Sequence, residues 1–201
     1  QAIIRDVAAK LAEQSPKAIR SYDQPSKGIL WDGEVAGYII TKAMAAGFYI
    51  LCMLDLLIGS DLLIAIPITS VMIFVIAMLS ITGVLLVMDL DRPGRFLYVL
   101  LRPNWDSWLV RGAYIIAAFG AILTAHLGIY FLSLDPVYHK LLALVGIPLA
   151  WMTGAYTGWL LKQAKGRSDW ANKSNKSIAV SGTIEMIVFG GTLLLMGYIF
   201  T

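Results

Sequence analysis

The sequence predicts an all-α integral membrane protein with about five transmembrane helices, and three observations carry that prediction. Of the 201 residues 58% are hydrophobic and only 14% charged, whereas a soluble domain carries about a quarter charged residues. Mean hydropathy is +0.73. Several apolar runs exceed the roughly 18 residues needed to cross the hydrocarbon core. The net charge of +3 follows the loops, as shown below, and does not point to nucleic acid. The single cysteine, Cys52, excludes an internal disulfide and any four-cysteine iron–sulfur or zinc site within the chain, and no metal site is expected. The chain begins at Gln1, which suggests trimming or an incomplete start, and no secretory signal peptide is recognisable.

Residues 1–30 are polar enough to stay outside the bilayer as an N-terminal arm. Ile3, Ile4, Val7, Ala8 and Leu11 make one helical stripe that ends at Pro16, which reads as a surface helix on a partner or at the headgroups. Residues 31–201 form the transmembrane domain. The first span covers about 35–58, with Trp31 and Tyr38 as interfacial aromatics and Ala43 and Gly47 as a small-xxx-small pair. The second covers about 62–88, with Pro67 in its first turns at a kink. The third covers about 108–132. The fourth covers about 141–161, with Pro148 inside and Gly154 and Gly158 as a GxxxG pair. The fifth covers about 178–200 and offers Gly190, Gly191 and Gly197 for packing.

Charge orients these spans. The N-terminal arm, the second-to-third loop and the fourth-to-fifth loop hold fourteen of the sixteen basic residues. Lys140 is the single basic residue of the opposite loops, and Lys42 lies within a span. The positive-inside rule therefore puts the basic side and the N-terminus in the cytoplasm.

The loop between the second and third spans, DLDRPGRFLYVLLRPNWDSWLVRG, is long, charged and stiffened by two Arg-Pro steps. Its residues Asp89, Arg92, Pro93, Arg95, Arg102, Pro103, Asn104, Ser107 and Gly112 resemble the signature of the NrfD/polysulfide-reductase (PsrC) membrane-subunit family, usually close to DLGRPERF followed by RPN, a serine and a glycine. WDGEVAGYIITKAMAAGFYI at 31–50 and YTGWLLKQAKGRSDW at 156–170 agree in the family's order. Asp91 departs from the usual glycine and Gly94 from the usual acid, so a salt bridge to that acid is not expected here. On the residues alone, Arg92, Arg95 and Arg102 suit lipid phosphates or Asp89, Asp91 and Asp106, and Ser107 suits an N-cap of the third span.

Ionisable groups within spans cost roughly 2.5–3.5 kcal/mol each on insertion scales, so each needs a reason. They are Lys42 and Asp55 in the first span, His126 in the third and Glu185 in the fifth, with Asp89 closing the second. His126 shares a helix face with Tyr130, four residues on. Imidazole and phenol suit the oxygens of a quinone, and an imidazole can take a proton from a quinol. Asp55 lies at similar depth and would hold His126 or receive that proton. The alternative for these residues is a structural interhelical hydrogen bond. Haem b on His126 and His139 is disfavoured, because His139 falls in the polar loop SLDPVYHK. Lys42 either snorkels to the interface or pairs with Glu185 or Asp89, and those three would line a proton route.

The resemblance implies a four-helix bundle made by the first four spans. It implies a subunit without haem or iron–sulfur cluster of its own that binds quinone or quinol (menaquinone or ubiquinone), with His126, Asp55 and Tyr130 as the matching candidates. Electrons would pass to an iron–sulfur ferredoxin-like partner, within a complex holding a further redox or membrane subunit, in the inner (cytoplasmic) membrane of a prokaryote. Relatives implied in this way include polysulfide reductase, NrfD and alternative complex III. Five spans are fewer than the family's eight or more, which implies one half or a truncated member. The rival readings are an ion- or proton-translocating subunit, weakened by the lack of an inverted repeat, and a structural membrane anchor without quinone binding.

Overall fold

A computed structural model describes residues 33–60, 66–88, 101–163 and 173–200, with the side chains of 33, 34 and 198–200 left aside. The N-terminal arm and the motif residues Asp89, Asp91, Arg92, Pro93 and Arg95 lie outside the described residues. Regular structure within them is helical: α1 Gly33–Ile58, α2 Ile68–Met88, α3 Trp108–Phe131, α4 Val137–Gln163 and α5 Asn175–Phe200. All five are long and apolar enough to cross a membrane, so this is a multi-pass membrane protein.

The starts of α2 and α4 and the capping of α3 differ from the sequence reading. Pro67 stands just before α2 instead of kinking its first turns, and its carbonyl accepts the amides of Ser70 and Val71 at 2.9 and 3.2 Å. A proline costs little there, because the first amides of a helix have no intrahelical acceptor. α4 begins four residues earlier than expected, at Val137, where the Asp135 carboxylate accepts the Val137 amide at 2.8 Å. Ser107 occupies the N-cap position of α3 in extended backbone, but its hydroxyl makes no capping bond. The free amide of Trp108 instead donates to Gln163 Oε1 at the far end of α4, at 2.8 Å. Gln163 Nε2 in turn donates to the Asp106 carbonyl at 2.7 Å.

The turn between α3 and α4 explains why the hairpin is so short. Ser133 takes a positive φ of 50°, its amide donates to Tyr130 O at 3.1 Å, and that of Leu134 reaches Ile129 O at 3.0 Å. This is a Schellman closure with serine in the left-handed position that usually belongs to glycine.

Helix contacts run α1–α2, α2–α3, α3–α4 and α4–α1, which is a closed four-helix bundle, and α5 packs into the groove between α1 and α4. Close approach is made possible by glycine. A Cβ on Gly47 would sit 2.0 Å from the Met186 carbonyl oxygen, and one on Gly190 would sit 2.3 Å from the Gly47 carbonyl carbon. The α1 and α5 backbones therefore touch. The expected GxxxG pair also packs on α5, Gly154 against Met186 and Gly158 against Ile178. The core is Phe48, Tyr49 and Met53 of α1, Val71, Met72, Val75 and Leu79 of α2, and Phe119 and Leu123 of α3. Large apolar side chains such as Ile73, Leu144 and Ile184 face outward, as a lipid-facing surface requires.

Thr41 bonds Thr82 across α1 and α2 at 2.8 Å, and Lys162 Nζ donates to Asn175 Oδ1 at 3.1 Å. With the Gln163 bonds, these place the starts of α1, α3 and α5 at one end, which also carries Arg111 and Lys162 and is called the basic end. A tryptophan cluster lies there: Trp108 stacks on Trp159 at 5.3 Å, and the Arg111 guanidinium lies 5.0 Å above the Trp108 ring. The opposite end, where α3 turns into α4, is the hairpin end.

Candidate functional site

Two polar constructions stand out, one near each end of the bundle. Near the hairpin end, His126 is fully buried, 0% exposed, between α1, α3 and α4. Its Nε2 lies 3.0 Å from Tyr49 Oη and its Nδ1 lies 2.8 Å from His139 Nδ1. The two imidazole planes are 7° apart. An Nδ1–Nδ1 bond needs one ring protonated there and the other not, so the direction of both bonds is coupled. Either Tyr49 donates to His126 and His126 to His139, or both bonds reverse.

His139 is not in a polar loop, then. It belongs to the first turn of α4 and is 8% exposed, because the Asp135 cap and Pro136 start the helix before it. The ground on which its pairing with His126 was discounted therefore falls. A metal between two imidazole nitrogens would hold them about 4 Å apart, two bonds of about 2 Å each. At 2.8 Å these two are hydrogen-bonded, and no iron fits between them.

The other sequence candidates of this end separate from His126. Tyr130 is 57% exposed and meets Phe131 edge-on, so it does not share the buried face of His126. Four residues advance a helix by slightly more than a turn, and at the last turn that offset carries the ring out of the bundle. Asp55 does not hold His126 either. Its carboxylate accepts the Ser60 hydroxyl and lines a cavity of about 310 Å³ at the hairpin end. Cys52, Met53, Leu56, Ile68 and Val71 wall that cavity with apolar surface, and Lys140 stands at its rim. Equal depth on two helices does not give equal direction.

Toward the basic end, Lys42 is 1% exposed and does not snorkel. Its Nζ lies 4.6 Å from the centre of the Tyr156 ring and has no hydrogen-bond partner among the described residues. Among the described residues, Glu185 of α5 is the charge that acts on it. Tyr156 stands where it does because Gly112 leaves room: a Cβ on that motif glycine would fall 2.2 Å from the ring. Asp89 lies outside the described residues, so the third member of the expected proton route is not placed. Among the other motif residues, Arg102 is exposed, and Asn104 turns the chain by accepting the Asp106 amide at 3.2 Å.

The sequence reading missed Tyr49 and Gln163 and set His139 aside as a loop residue. Tyr49 gave no signal beyond an aromatic within a span. His139 did, because Asp135-Pro136 just before it is a helix-start signal.

Compared with known proteins, the chain has no significant match among curated proteins or solved structures. Residues 23–175, well over half of the 201, match the family model described as polysulphide reductase, NrfD. The described part of that stretch is the four-helix bundle with both polar constructions. The chain belongs to the NrfD family, membrane subunits of respiratory oxidoreductase complexes.

Proposed function

We propose that this chain is the quinone-interacting subunit of its complex, exchanging electrons between the membrane quinone pool and an iron–sulfur partner subunit. The observation that carries the reading is the cavity at the hairpin end. Its volume of about 310 Å³ lies at the lower bound of small-molecule sites, which are mostly apolar with a few polar groups. A quinol hydroxyl would donate to the Asp55 carboxylate, and a quinone carbonyl would accept from the Lys140 ammonium. Oxidation of the quinol releases two electrons, which leave for the partner's cluster, and two protons, for which Asp55 is the first acceptor. The Tyr49–His126–His139 chain fixes α1, α3 and α4 around the site, and His126 keeps its proposed part as a proton-handling group through the His139 contact. Tyr130, exposed beside the same end, is a candidate for contact with the isoprenoid tail.

The basic end then faces the cytoplasm of a prokaryotic inner membrane by the positive-inside rule. The ferredoxin-like partner would dock at the hairpin end, outside the cytoplasm. Quinol oxidation by the purified complex tests the reading. Asp55→Asn is expected to lower kcat/KM at least about ten-fold, the loss of one charged hydrogen bond in the transition state. His126→Ala is expected to slow turnover in a complex that still assembles. Full activity in both variants would leave a structural or ion-translocating subunit as the better description.

A further inference from the structure

A lysine in the middle of a protein needs acceptors for three N–H donors, and an unsatisfied buried donor costs about 1–3 kcal/mol, more when charged. Among the described residues Lys42 has none in hydrogen-bond reach. Two further buried polar atoms, on α4, share that condition, Tyr156 Oη and Thr157 Oγ1. Tyr156 and Thr157 are consecutive in α4. Such groups in folded proteins are satisfied by ordered water or an ion unless something else requires them. Three together, contributed by α1 and α4, make chance unconvincing.

A small gap reaches one of them, Thr157. Its volume is about 60 Å³, and its walls include Thr157 and Gly158 of α4, Ser181 and Glu185 of α5, and Ile39 of α1. That is far below the size of an organic ligand and large enough for two water molecules at about 30 Å³ each. The gap extends between Leu161 and Ile178 toward the basic end, where α4 stops and α5 starts. Lys42 and Glu185 lie nine and ten residues into their helices, so they stand at nearly equal depth from that end. Among the described residues, the Tyr156 ring of α4 lies over the Lys42 ammonium and Glu185 of α5 acts on it as a charge.

We propose that this gap is hydrated, and that its water joins Lys42, by way of the Tyr156 and Thr157 hydroxyls, to Glu185 as an internal proton-exchange site. The exchange balances without a co-reactant: the ammonium of Lys42 gives a proton to water, water gives one to the Glu185 carboxylate, and an amine and a carboxylic acid result. The reverse step restores the ion pair. The gap is the path by which water from the basic end renews these protons. The glycines at 154, 158 and 182 matter here, because larger residues would fill the space between α4 and α5. The proposal is independent of the quinone cavity, which lies at the other end of the bundle.

Isotope-edited infrared spectroscopy of the intact complex in lipid, with carboxyl-labelled glutamate, tests it without any quinone present. Across a pH titration, a carboxylic C=O band is expected that disappears in Glu185→Gln and shifts on transfer to D2O. In Thr157→Val, which keeps the side-chain shape, deuterium exchange of that band is expected to slow about ten-fold, the effect of losing one hydrogen bond in the chain. Lys42→Met is expected to change the pH range over which the band appears. Three results would each overturn the site: no band that depends on Glu185, a band indifferent to D2O, or exchange equally fast in Thr157→Val. Loss of quinol oxidation in Asp55→Asn has no bearing on these outcomes, so either reading can fail alone.

Discussion

The backbone contact between α1 and α5 makes a quantitative prediction. In Gly47→Ala, the new methyl carbon would lie 2.0 Å from the Met186 carbonyl oxygen. Ordinary contact begins near 3.4 Å, so the two helices must separate by about 1.4 Å along that direction. No rotamer change can relieve the clash, because the obstructing atom is main chain. Overpacking of a core costs about 1–3 kcal/mol, and a clash against backbone belongs at or above the upper figure. Gly191 supplies the control, since a Cβ there meets nothing within 4 Å. With no contact to break, Gly191→Ala should be stabilising by about 0.5–1 kcal/mol through helix propensity. Equilibrium unfolding of the purified chain in mixed micelles measures both variants. The reasoning fails if Gly47→Ala costs less than about 1 kcal/mol, or if the two alanines behave alike.

Other expectations concern the polar pins. Tyr49→Phe leaves His126 Nε2 without its partner and should destabilise by about 1–3 kcal/mol, with a change in imidazole tautomer visible by nitrogen NMR. Gln163→Leu removes both bonds that tie the end of α4 to the start of α3. Its cost should be about 1–2 kcal/mol, with faster amide exchange at Trp108 as the local signature. Ser133→Gly relieves a left-handed backbone at the α3–α4 turn and should raise stability by about 1 kcal/mol in the same unfolding assay.

Hydropathy alone was enough to find the five spanning helices among the described residues, because crossing a bilayer demands length and apolarity. Where the sequence reading slipped, the deciding contact came from another helix. Ser107 looked like a cap, yet the α3 amide chose Gln163, fifty-five positions away. Asp135-Pro136 is itself a helix-start signal, and reading it as loop hid His139. Asp55 and His126 do lie at similar depths, but rotation about each helix axis sends one to a cavity and the other to Tyr49. Lys42 looked long enough to reach the interface. The Tyr156 ring, seated over Gly112, offered its face instead.

The hairpin of α3 and α4 is fastened at both extremities, by the amide of Gln163 at one and by two imidazoles at the other. Helices stapled top and bottom cannot slide or splay relative to each other without breaking a staple. A rearrangement that spares these bonds, and the Tyr49 bond that ties α1 to His126, moves α2 or α5 against a stationary pair. On that view the third and fourth helices are the frame, and the working parts are hung from it.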